Sequence, residues 1–167
     1  MFTGAAVVMG VASCGKTSVG EALAARLGAQ FIEGDKLHPN TNVEKMSKGI
    51  PLTDQDRWPW LNLVGESLKG SEGKITSCSA LKRAYREHIA QAAGRPVLFI
   101  HLDGSEVLLA QRIAARKGHF MPPSLLSSQL STLERPSFDE RAKAFDIAQP
   151  IGEIVAEANA WLLQQQE

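Results

Sequence analysis

The chain has only two cysteines, Cys14 and Cys78, which are too few for a disulfide framework, and neither has neighbours at zinc-site spacing. No apolar run approaches a membrane span, and the first apolar segment begins too near the N-terminus to leave room for a cleavable leader. Lys plus Arg and Asp plus Glu both number 18, so the basic excess typical of nucleic-acid binding is missing. We therefore expect a cytoplasmic protein that binds neither nucleic acid nor membrane.

The 167 residues show no internal repeat, linker or low-complexity tract, so a single domain over residues 1–167 is predicted. Short apolar runs alternate with amphipathic segments, which favours a parallel sheet covered by helices on both faces. The predicted fold class is α/β, a three-layer α/β/α sandwich with a five-stranded parallel sheet. Strands are predicted at residues 5–9, 30–32, 74–78, 96–102 and 144–147. Helices are predicted at residues 18–27, 41–48, 54–68, 80–93, after Ser105, 125–133 and 151–163.

Residues 10–17, GVASCGKT, match the phosphate-binding loop pattern G-x-x-x-x-G-K-[ST]. A predicted strand precedes this loop and a predicted helix follows it. At such a junction, backbone N–H groups and the positive end of the helix converge on an anion. In this pattern Lys16 reaches the β- and γ-phosphates, and the Thr17 hydroxyl holds Mg²⁺. The chain is therefore predicted to bind a nucleoside triphosphate.

Further short motifs follow one another in a fixed order from about residue 7 to residue 150. They are Met9-Gly10-Val11, Gly34-Asp35, Leu37-His38-Pro39, Asn42, Glu44-Lys45-Met46, Gly49, Pro51-Leu52, Asp54, Asp56-Arg57, Pro59-Trp60-Leu61, Cys78-Ser79-Ala80-Leu81-Lys82, Tyr85-Arg86, Arg116-Lys117-Gly118-His119-Phe120 and Gln149-Pro150. On these residues the chain resembles the gluconokinase family of shikimate-kinase-like P-loop kinases. The resemblance implies a P-loop nucleoside triphosphate hydrolase fold and ATP-dependent phosphorylation of D-gluconate to 6-phospho-D-gluconate. It also implies Mg²⁺ as cofactor and a homodimer.

The resemblance assigns the nucleotide to the loop and to three later segments. Lys16 and Arg116 are predicted to be catalytic, and Arg116 begins a mobile lid at about 116–136 that closes over the phosphates. Arg112, one helical turn earlier, either joins the lid or forms a surface pair. Gln149 and Pro150 are predicted to lie beside the adenine. The complete predicted nucleotide-binding set is Gly10, Val11, Ala12, Ser13, Cys14, Gly15, Lys16, Thr17, Ser18, Arg112, Arg116, Gln149 and Pro150.

The resemblance places the acceptor at about residues 36–68 and beside Asp35. Asp35 is predicted to orient or deprotonate the acceptor hydroxyl; the alternatives are a water-mediated contact to Mg²⁺ or a helix cap. A guanidinium presents a planar fork to an oxyanion, so Arg57 and Arg86 are predicted to bind the acceptor. The complete predicted acceptor-binding set is Asp35, His38, Lys45, Arg57, Ser79, Lys82, Arg86 and His119.

Several of these acceptor residues have an alternative structural role. A lone histidine such as His38 is more often structural than ligand-binding. Lys45 either lines the pocket or packs, and Ser79 either meets the ligands or caps the next helix. Lys82 and the predicted arginines are alternatively solvated surface charges.

One loop position departs from the family pattern. Cys14 stands where a glycine or serine is common. A thiol at a helix N-terminus is expected to have a lowered pKa, so alkylation of Cys14 is expected to block ATP binding. The third strand is also unusually polar, because it contains Thr76 and Ser77.

Two rival functions are a kinase for another small sugar acid or polyol and a non-catalytic nucleotide-binding regulator. Shikimate is disfavoured because Ser79-Ala80 stands where a glycine triplet closes the third strand in kinases of that substrate. The presence of both Asp35 and Arg116 argues against a regulator, since a protein that only binds nucleotide needs neither.

Overall fold

The computed structural model describes residues 1–116 and 123–166. Its strands are β1 (Ala5–Met9), β2 (Gln30–Glu33), β3 (Lys74–Ser77), β4 (Val97–Asp103) and β5 (Ala142–Asp146). Its α-helices are α1 (Lys16–Leu27), α2 (Asn40–Ser47), α3 (Asp54–Ser67), α4 (Arg83–Ala93), α5 (Glu106–Ala115), α6 (Pro123–Thr132) and α7 (Ile151–Gln164). A short 3₁₀ helix at Gly34–Leu37 follows β2.

The strands form one parallel sheet in the order β2-β3-β1-β4-β5. This confirms the predicted α/β sandwich with a five-stranded parallel sheet. All strands point the same way, so the loops that follow them meet at one edge of the sheet. Because β1 lies in the middle and the chain crosses from one side of it to the other, the loop after β1 lies at the switch point where ligands bind in such sheets.

The central strands carry the core. Every residue of β1 is buried, as are residues 97–102 of β4. Helix α1 packs beside α7, and α3 packs beside α4. Within the described part of the chain, no helix combines the length and the apolarity that crossing a membrane requires.

Two predicted boundaries were wrong by a few residues. The fifth strand was predicted at 144–147, whereas β5 begins at Ala142 because Ala142 pairs with Phe99 of β4. The helix predicted at 80–93 begins only at Arg83. Ala80 has a φ of +46°, which is left-handed and lies outside the helical region.

The polar residues of β3 have partners on β2. The Thr76 hydroxyl donates to the carbonyl oxygen of Ile32 at 2.8 Å. The Ser77 hydroxyl donates to the Glu33 carboxylate and accepts from the Gly34 N–H at 3.1 Å. Both side chains are fully buried and satisfied, so they join β3 to the end of β2 without an unpaired polar group.

Candidate active site

The phosphate-binding loop joins β1 to α1 with an unusual backbone. Gly10 and Gly15 have φ values of +144° and +96°, and Ser13 has a φ of +64°. A Cβ built on Gly10 would lie 2.8 Å from Cys14 Sγ and 2.9 Å from the Leu102 carbonyl oxygen. The first glycine is therefore required both by its dihedral angle and by close packing, and the second by its dihedral angle alone.

The loop lysine lies against the loop backbone. Lys16 Nζ donates to the carbonyl oxygens of Gly10 and Val11, both at 3.1 Å. Its side chain lines a cavity of about 690 Å³ that runs past the loop. This places an ammonium group on the same surface as the loop residues Ser13 and Thr17, where the sequence predicted phosphate binding.

Cys14 does not have the environment that the sequence predicted. Its side chain is 2% exposed and points back toward Gly10, away from the cavity. Burial raises the pKa of the Cys14 thiol above its ordinary value, and the nearby charge of Lys16 only partly opposes that shift. The expectation of a lowered pKa was therefore wrong, because the thiol faces the apolar core and not the helix terminus.

Glu33 is a site residue that the sequence analysis missed. The Thr17 hydroxyl donates to Glu33 Oε2 at 2.6 Å, and the Ser77 hydroxyl donates to Oε1. The signal was available, since Glu33 ends β2 and the carboxyl ends of parallel strands meet at the edge that holds the loop. The hydroxyl and carboxylate oxygens of Thr17 and Glu33 are the hard donors that Mg²⁺ prefers, so the residues present fit this ion.

Asp35 follows Gly34 at the end of β2 and lines the cavity with an exposed side chain. Gly34 is held on both sides: its N–H donates to Ser77 Oγ at 3.1 Å, and its carbonyl oxygen accepts from Trp60 Nε1 at 2.9 Å. A Cβ on Gly34 would lie 1.7 Å from the Ser77 carbonyl oxygen. The backbone that carries Asp35 is therefore fixed against the end of β3.

His38 lies flat on the Trp60 indole, with ring centroids 3.8 Å apart and an interplanar angle of 18°. Asn42 Nδ2 lies 3.2 Å from His38 Nδ1 and 2.9 Å from the Asp56 carbonyl oxygen. Burial, aided by the positive charge of Arg57, lowers the pKa of His38 to about 4. His38 is therefore a neutral imidazole at pH 7.

Arg57 is nearly buried, yet its side chain reaches the cavity. Its Nη1 donates to the Tyr85 hydroxyl at 2.9 Å, and that hydroxyl donates to the Asp54 carboxylate. Lys82 Nζ donates to the same carboxylate at 3.3 Å. These hydrogen bonds hold the Arg57 guanidinium in place through its Nη1 atom.

The cavity has two walls. The nucleotide wall comprises Ser13, Lys16, Thr17 and Arg116, and the acceptor wall comprises Asp35, His38, Arg57 and Trp60. The predicted site residues that line the cavity are Ala12, Ser13, Gly15, Lys16, Thr17, Ser18, Asp35, His38, Arg57, Ser79, Arg112 and Arg116. Of the remaining loop residues, Gly10 and Val11 shape the backbone behind the nucleotide wall. Predicted ligand contacts at these residues stay predictions.

Arg116, at the start of the predicted lid, contacts the loop. Arg116 Nη1 lies 3.4 Å from Ser13 Oγ, and Arg112 Nη2 donates to the Ile147 carbonyl oxygen at 2.8 Å. Gln129 of α6, which the sequence analysis missed, accepts the Ala12 N–H through Oε1 at 2.7 Å. His119 and most of the first part of the predicted lid lie outside the described residues.

Arg86 requires a correction. It is 2% exposed and does not line the cavity. Its guanidinium donates to the Glu140 carboxylate through Nε and Nη2, and to the carbonyl oxygens of Ala80, Leu81 and Glu134. The N–H groups of Arg86 donate to carboxylate and carbonyl oxygens of the protein. Arg86 therefore fixes the segment before β5 and is not placed to bind the substrate that receives the phosphoryl group.

Four other predicted residues also lie away from the cavity lining. Lys45 Nζ donates to both carboxylate oxygens of Asp56, at 3.0 and 2.8 Å. Lys82 is engaged by Asp54 as described above. Gln149 and Pro150 form the turn between β5 and α7. The structure does not bring these four side chains to the cavity that holds the other predicted residues.

Comparisons with known proteins agree with this site. An AAA domain family matches residues 6–136. The chain is 55% identical over 138 residues to a gluconokinase of Gluconobacter oxydans (strain 621H), covering 80% of this chain and 77% of that protein. It is 44% identical over 169 residues to a probable gluconokinase of Xenopus tropicalis, covering 90% of this chain and 89% of that protein.

A solved structure extends the similarity to three dimensions. The crystal structure of a gluconokinase from Sinorhizobium meliloti 1021 matches with a TM-score of 0.91 at 55% identity, covering 98% of this chain and 94% of that chain. The matches to relatives span most of both chains, and the family match over residues 6–136 contains the phosphate-binding loop and the acceptor wall. The protein therefore belongs to the gluconokinase family.

Proposed function

We propose that this protein transfers the γ-phosphoryl group of ATP to the primary hydroxyl of D-gluconate, giving 6-phospho-D-gluconate and ADP. One observation carries the proposal: the residues of the nucleotide wall and those of the acceptor wall line the same cavity of about 690 Å³. A kinase needs both substrates in one cleft, with the alcohol aligned on the phosphoryl group. Similarity to named gluconokinases supports gluconate as the acceptor.

The nucleotide wall supplies the positive charge that the reaction requires. Phosphoryl transfer spreads negative charge over the phosphate oxygens, so catalysis depends on positioning and charge neutralisation. Lys16 provides an ammonium group from the loop, and Arg116, whose Nη1 lies 3.4 Å from Ser13 Oγ of the loop, provides a guanidinium. Thr17 and Glu33 are the residues that would hold Mg²⁺. The bound ion adds positive charge beside the phosphates.

The acceptor wall holds the sugar acid and takes up its proton. The oxygen of the primary alcohol forms the new bond to the γ-phosphorus while the bond from that phosphorus to the β,γ-bridging oxygen breaks. The alcohol proton passes to the Asp35 carboxylate, which the rigid Gly34 backbone holds at the cavity. Arg57 donates hydrogen bonds to the carboxylate of gluconate.

Three further expectations belong to this proposal: Mg²⁺ as the metal, a homodimer and a cytoplasmic location. The equal numbers of acidic and basic residues support a small-molecule acceptor over nucleic acid. Light scattering of the purified protein tests the dimer. Activity measured after chelation, and after Mg²⁺ is restored, tests the metal.

An ADP-release assay over a panel of sugar acids, polyols and shikimate tests the function. Turnover with D-gluconate, and little with the other compounds, supports the proposal. Turnover with a different acid identifies a kinase of another acceptor. ATP hydrolysis that no acceptor stimulates indicates a nucleotide-binding regulator and contradicts the proposal.

Two substitutions test the assigned roles in the same assay. We expect Lys16→Ala to abolish turnover, because it removes the loop cation. We expect Asp35→Asn to reduce kcat by roughly 10²- to 10⁴-fold with little change in ATP affinity, because it removes the proton acceptor alone. The exposed surface changes Lys69→Ala and Glu157→Gln serve as matched controls and should retain activity.

A further inference from the structure

We propose that Asn42 is a positioning residue that fixes the tautomer of His38, so that the imidazole presents an Nε2–H donor to the acceptor in the cavity. The tautomer follows from hydrogen bonds inside the protein. What the donor recognises rests on the function proposed above. The two parts are tested separately below.

The orientation of the Asn42 side chain is fixed by a backbone group. Asn42 is 2% exposed, and its Nδ2 has two partners in the protein. One end of that amide lies 2.9 Å from the Asp56 carbonyl oxygen, which can only accept a hydrogen bond. That end must therefore be the NH₂ group.

The same NH₂ group faces the imidazole. Asn42 Nδ2 lies 3.2 Å from His38 Nδ1, and an amide nitrogen offers protons but no acceptor. His38 Nδ1 must then accept, which requires that it carry no proton. A neutral imidazole with an unprotonated Nδ1 has its single proton on Nε2. The imidazolium form is excluded from this arrangement because its Nδ1–H would face the NH₂ group of Asn42.

The plane of the His38 imidazole is also fixed, and this sets the direction in which Nε2 points. The imidazole stacks on Trp60, whose indole is 2% exposed and anchored to the Gly34 carbonyl oxygen at 2.9 Å. Among residues 1–116 and 123–166, His88 Nε2 is the one buried side-chain nitrogen or oxygen that has no partner. No described residue hydrogen-bonds to His38 Nε2, and because that atom is not among these buried atoms it is accessible to solvent. The His38 side chain also lines the cavity.

A fixed Nε2–H has two chemical consequences. The Nε2–H group donates to a carboxylate or hydroxyl oxygen of the sugar acid. The Arg57 guanidinium beside it is likewise only a donor. The Nε2–H group cannot take up the alcohol proton, so Asp35 is left as the proton acceptor of the acceptor wall. By keeping the proton on His38 Nε2, Asn42 makes His38 a hydrogen-bond donor to the oxygens of a sugar acid. It also prevents Nε2 from acting as the base.

Nitrogen NMR of protein with ¹⁵N-labelled histidine tests the tautomer without any substrate. The chain has four histidines, and the His38 signals are assigned by their loss in His38→Gln. At pH 7 we expect a pyridine-type Nδ1 and a pyrrole-type Nε2 for His38. A pyrrole-type Nδ1 would overturn the proposal. This measurement uses the unaltered protein, so it does not depend on any variant folding.

Asn42→Asp tests whether residue 42 sets the tautomer. The carboxylate accepts where the amide donated, so we expect the His38 Nδ1 to become protonated. An unchanged His38 spectrum in this variant would refute the positioning role. If Asn42→Asp does not fold, Asn42→Ser provides the second test: it removes the NH₂ donor, and we expect mixed tautomers.

Two substitutions of His38 separate donation to the acceptor from simple packing. A glutamine amide nitrogen reaches the position of Nε2, whereas an asparagine amide reaches that of Nδ1. We expect His38→Asn to lower kcat/KM for gluconate roughly tenfold or more, with KM for ATP unchanged, and His38→Gln to recover most of that loss. Equal losses in both variants would contradict the donor role. The expected NMR tautomer without turnover on any sugar acid would refute the proposed function alone.

Discussion

Gly34 has no side chain, yet its backbone contacts fix the position of Asp35. Its N–H and carbonyl groups are both used, by Ser77 and Trp60, and the end of β3 occupies the space that a Cβ would need. The backbone that places Asp35 at the cavity therefore requires glycine at residue 34.

At this residue scale we predict that Gly34→Ala lowers the free energy of unfolding by about 1–3 kcal/mol or more, since backbone must move to admit the methyl group. Chemical denaturation measures the loss. The matched control is Gly152→Ala in α7, where a Cβ meets no atom within 4 Å. The control should raise stability slightly, because alanine favours a helix over glycine by about 1 kcal/mol. Equal stabilities for the two variants would contradict the packing argument.

At the scale of elements, α4 holds the segment that leads into β5. Arg86 of α4 binds Glu140 and three backbone carbonyl groups, and both charged side chains are almost buried. Arg83, one turn closer to the start of α4, makes similar ion pairs with Glu87 and Asp139 at the surface. The two arginines provide a comparison of buried and exposed pairing on one helix.

We predict that Arg86→Leu lowers the free energy of unfolding by about 3–5 kcal/mol, because Glu140 is left as an uncompensated buried charge. Adding Glu140→Leu should restore part of that stability, as denaturant unfolding of the single and double variants can show. Arg83→Leu is the control and should have a much smaller effect, since its partners remain solvated. No recovery in the double variant would show that Arg86 acts through the carbonyl groups alone.

Helix α6 is joined to the phosphate-binding loop by the hydrogen bond from the Ala12 N–H to Gln129. We predict that Gln129→Ala raises KM for ATP roughly three- to tenfold, because a loop amide loses its partner and the loop is less ordered. Initial-rate kinetics with ATP varied measures the effect. Gln111→Ala on the exposed face of α5 is the control and should leave KM unchanged. An unchanged KM in Gln129→Ala would separate α6 from nucleotide binding.

At the scale of the whole molecule, folding couples to pH through His38. The folded pKa of about 4 lies below the ordinary value of 6.5, so between these values the unfolded chain binds a proton that the folded chain does not. Stability is therefore lost as the pH falls from about 6.5 toward 4. We predict that the stability difference between the unaltered protein and His38→Gln shrinks over this window, as urea unfolding at several pH values can measure. A difference that does not change with pH would contradict the lowered pKa.

Sequence alone could predict the fold class and the position of the phosphate-binding loop between β1 and α1, because both rest on local patterns. The loop is a contiguous motif between a short apolar strand and an amphipathic helix, and the alternation of strands with helices indicates a parallel sheet. The strand order came only from the structure. Asp35 could be expected at the cavity because it follows a strand whose end must lie near the loop, and its role in the reaction stays a prediction. These features need no knowledge of distant contacts.

The errors came from residues whose partners are far away in the chain. Arg86 and Glu140 are separated by 54 residues, so nothing local distinguishes that buried pair from an arginine that binds substrate. Lys45 likewise pairs with Asp56, a contact between two different helices that no local pattern indicates. The pKa of Cys14 depended on which way one side chain pointed, and only the packed core against Gly10 decides that direction.

The hydrogen bonds around Gly34 have a consequence for catalysis. They run from Thr17 through Glu33, Ser77 and Gly34 to Trp60, and so connect the two walls of the cavity. These hydrogen bonds fix the spacing between Thr17 and Trp60 when the edge of the sheet forms. The proposed phosphoryl transfer would therefore use a spacing of the two walls that the folded protein already has before either substrate binds.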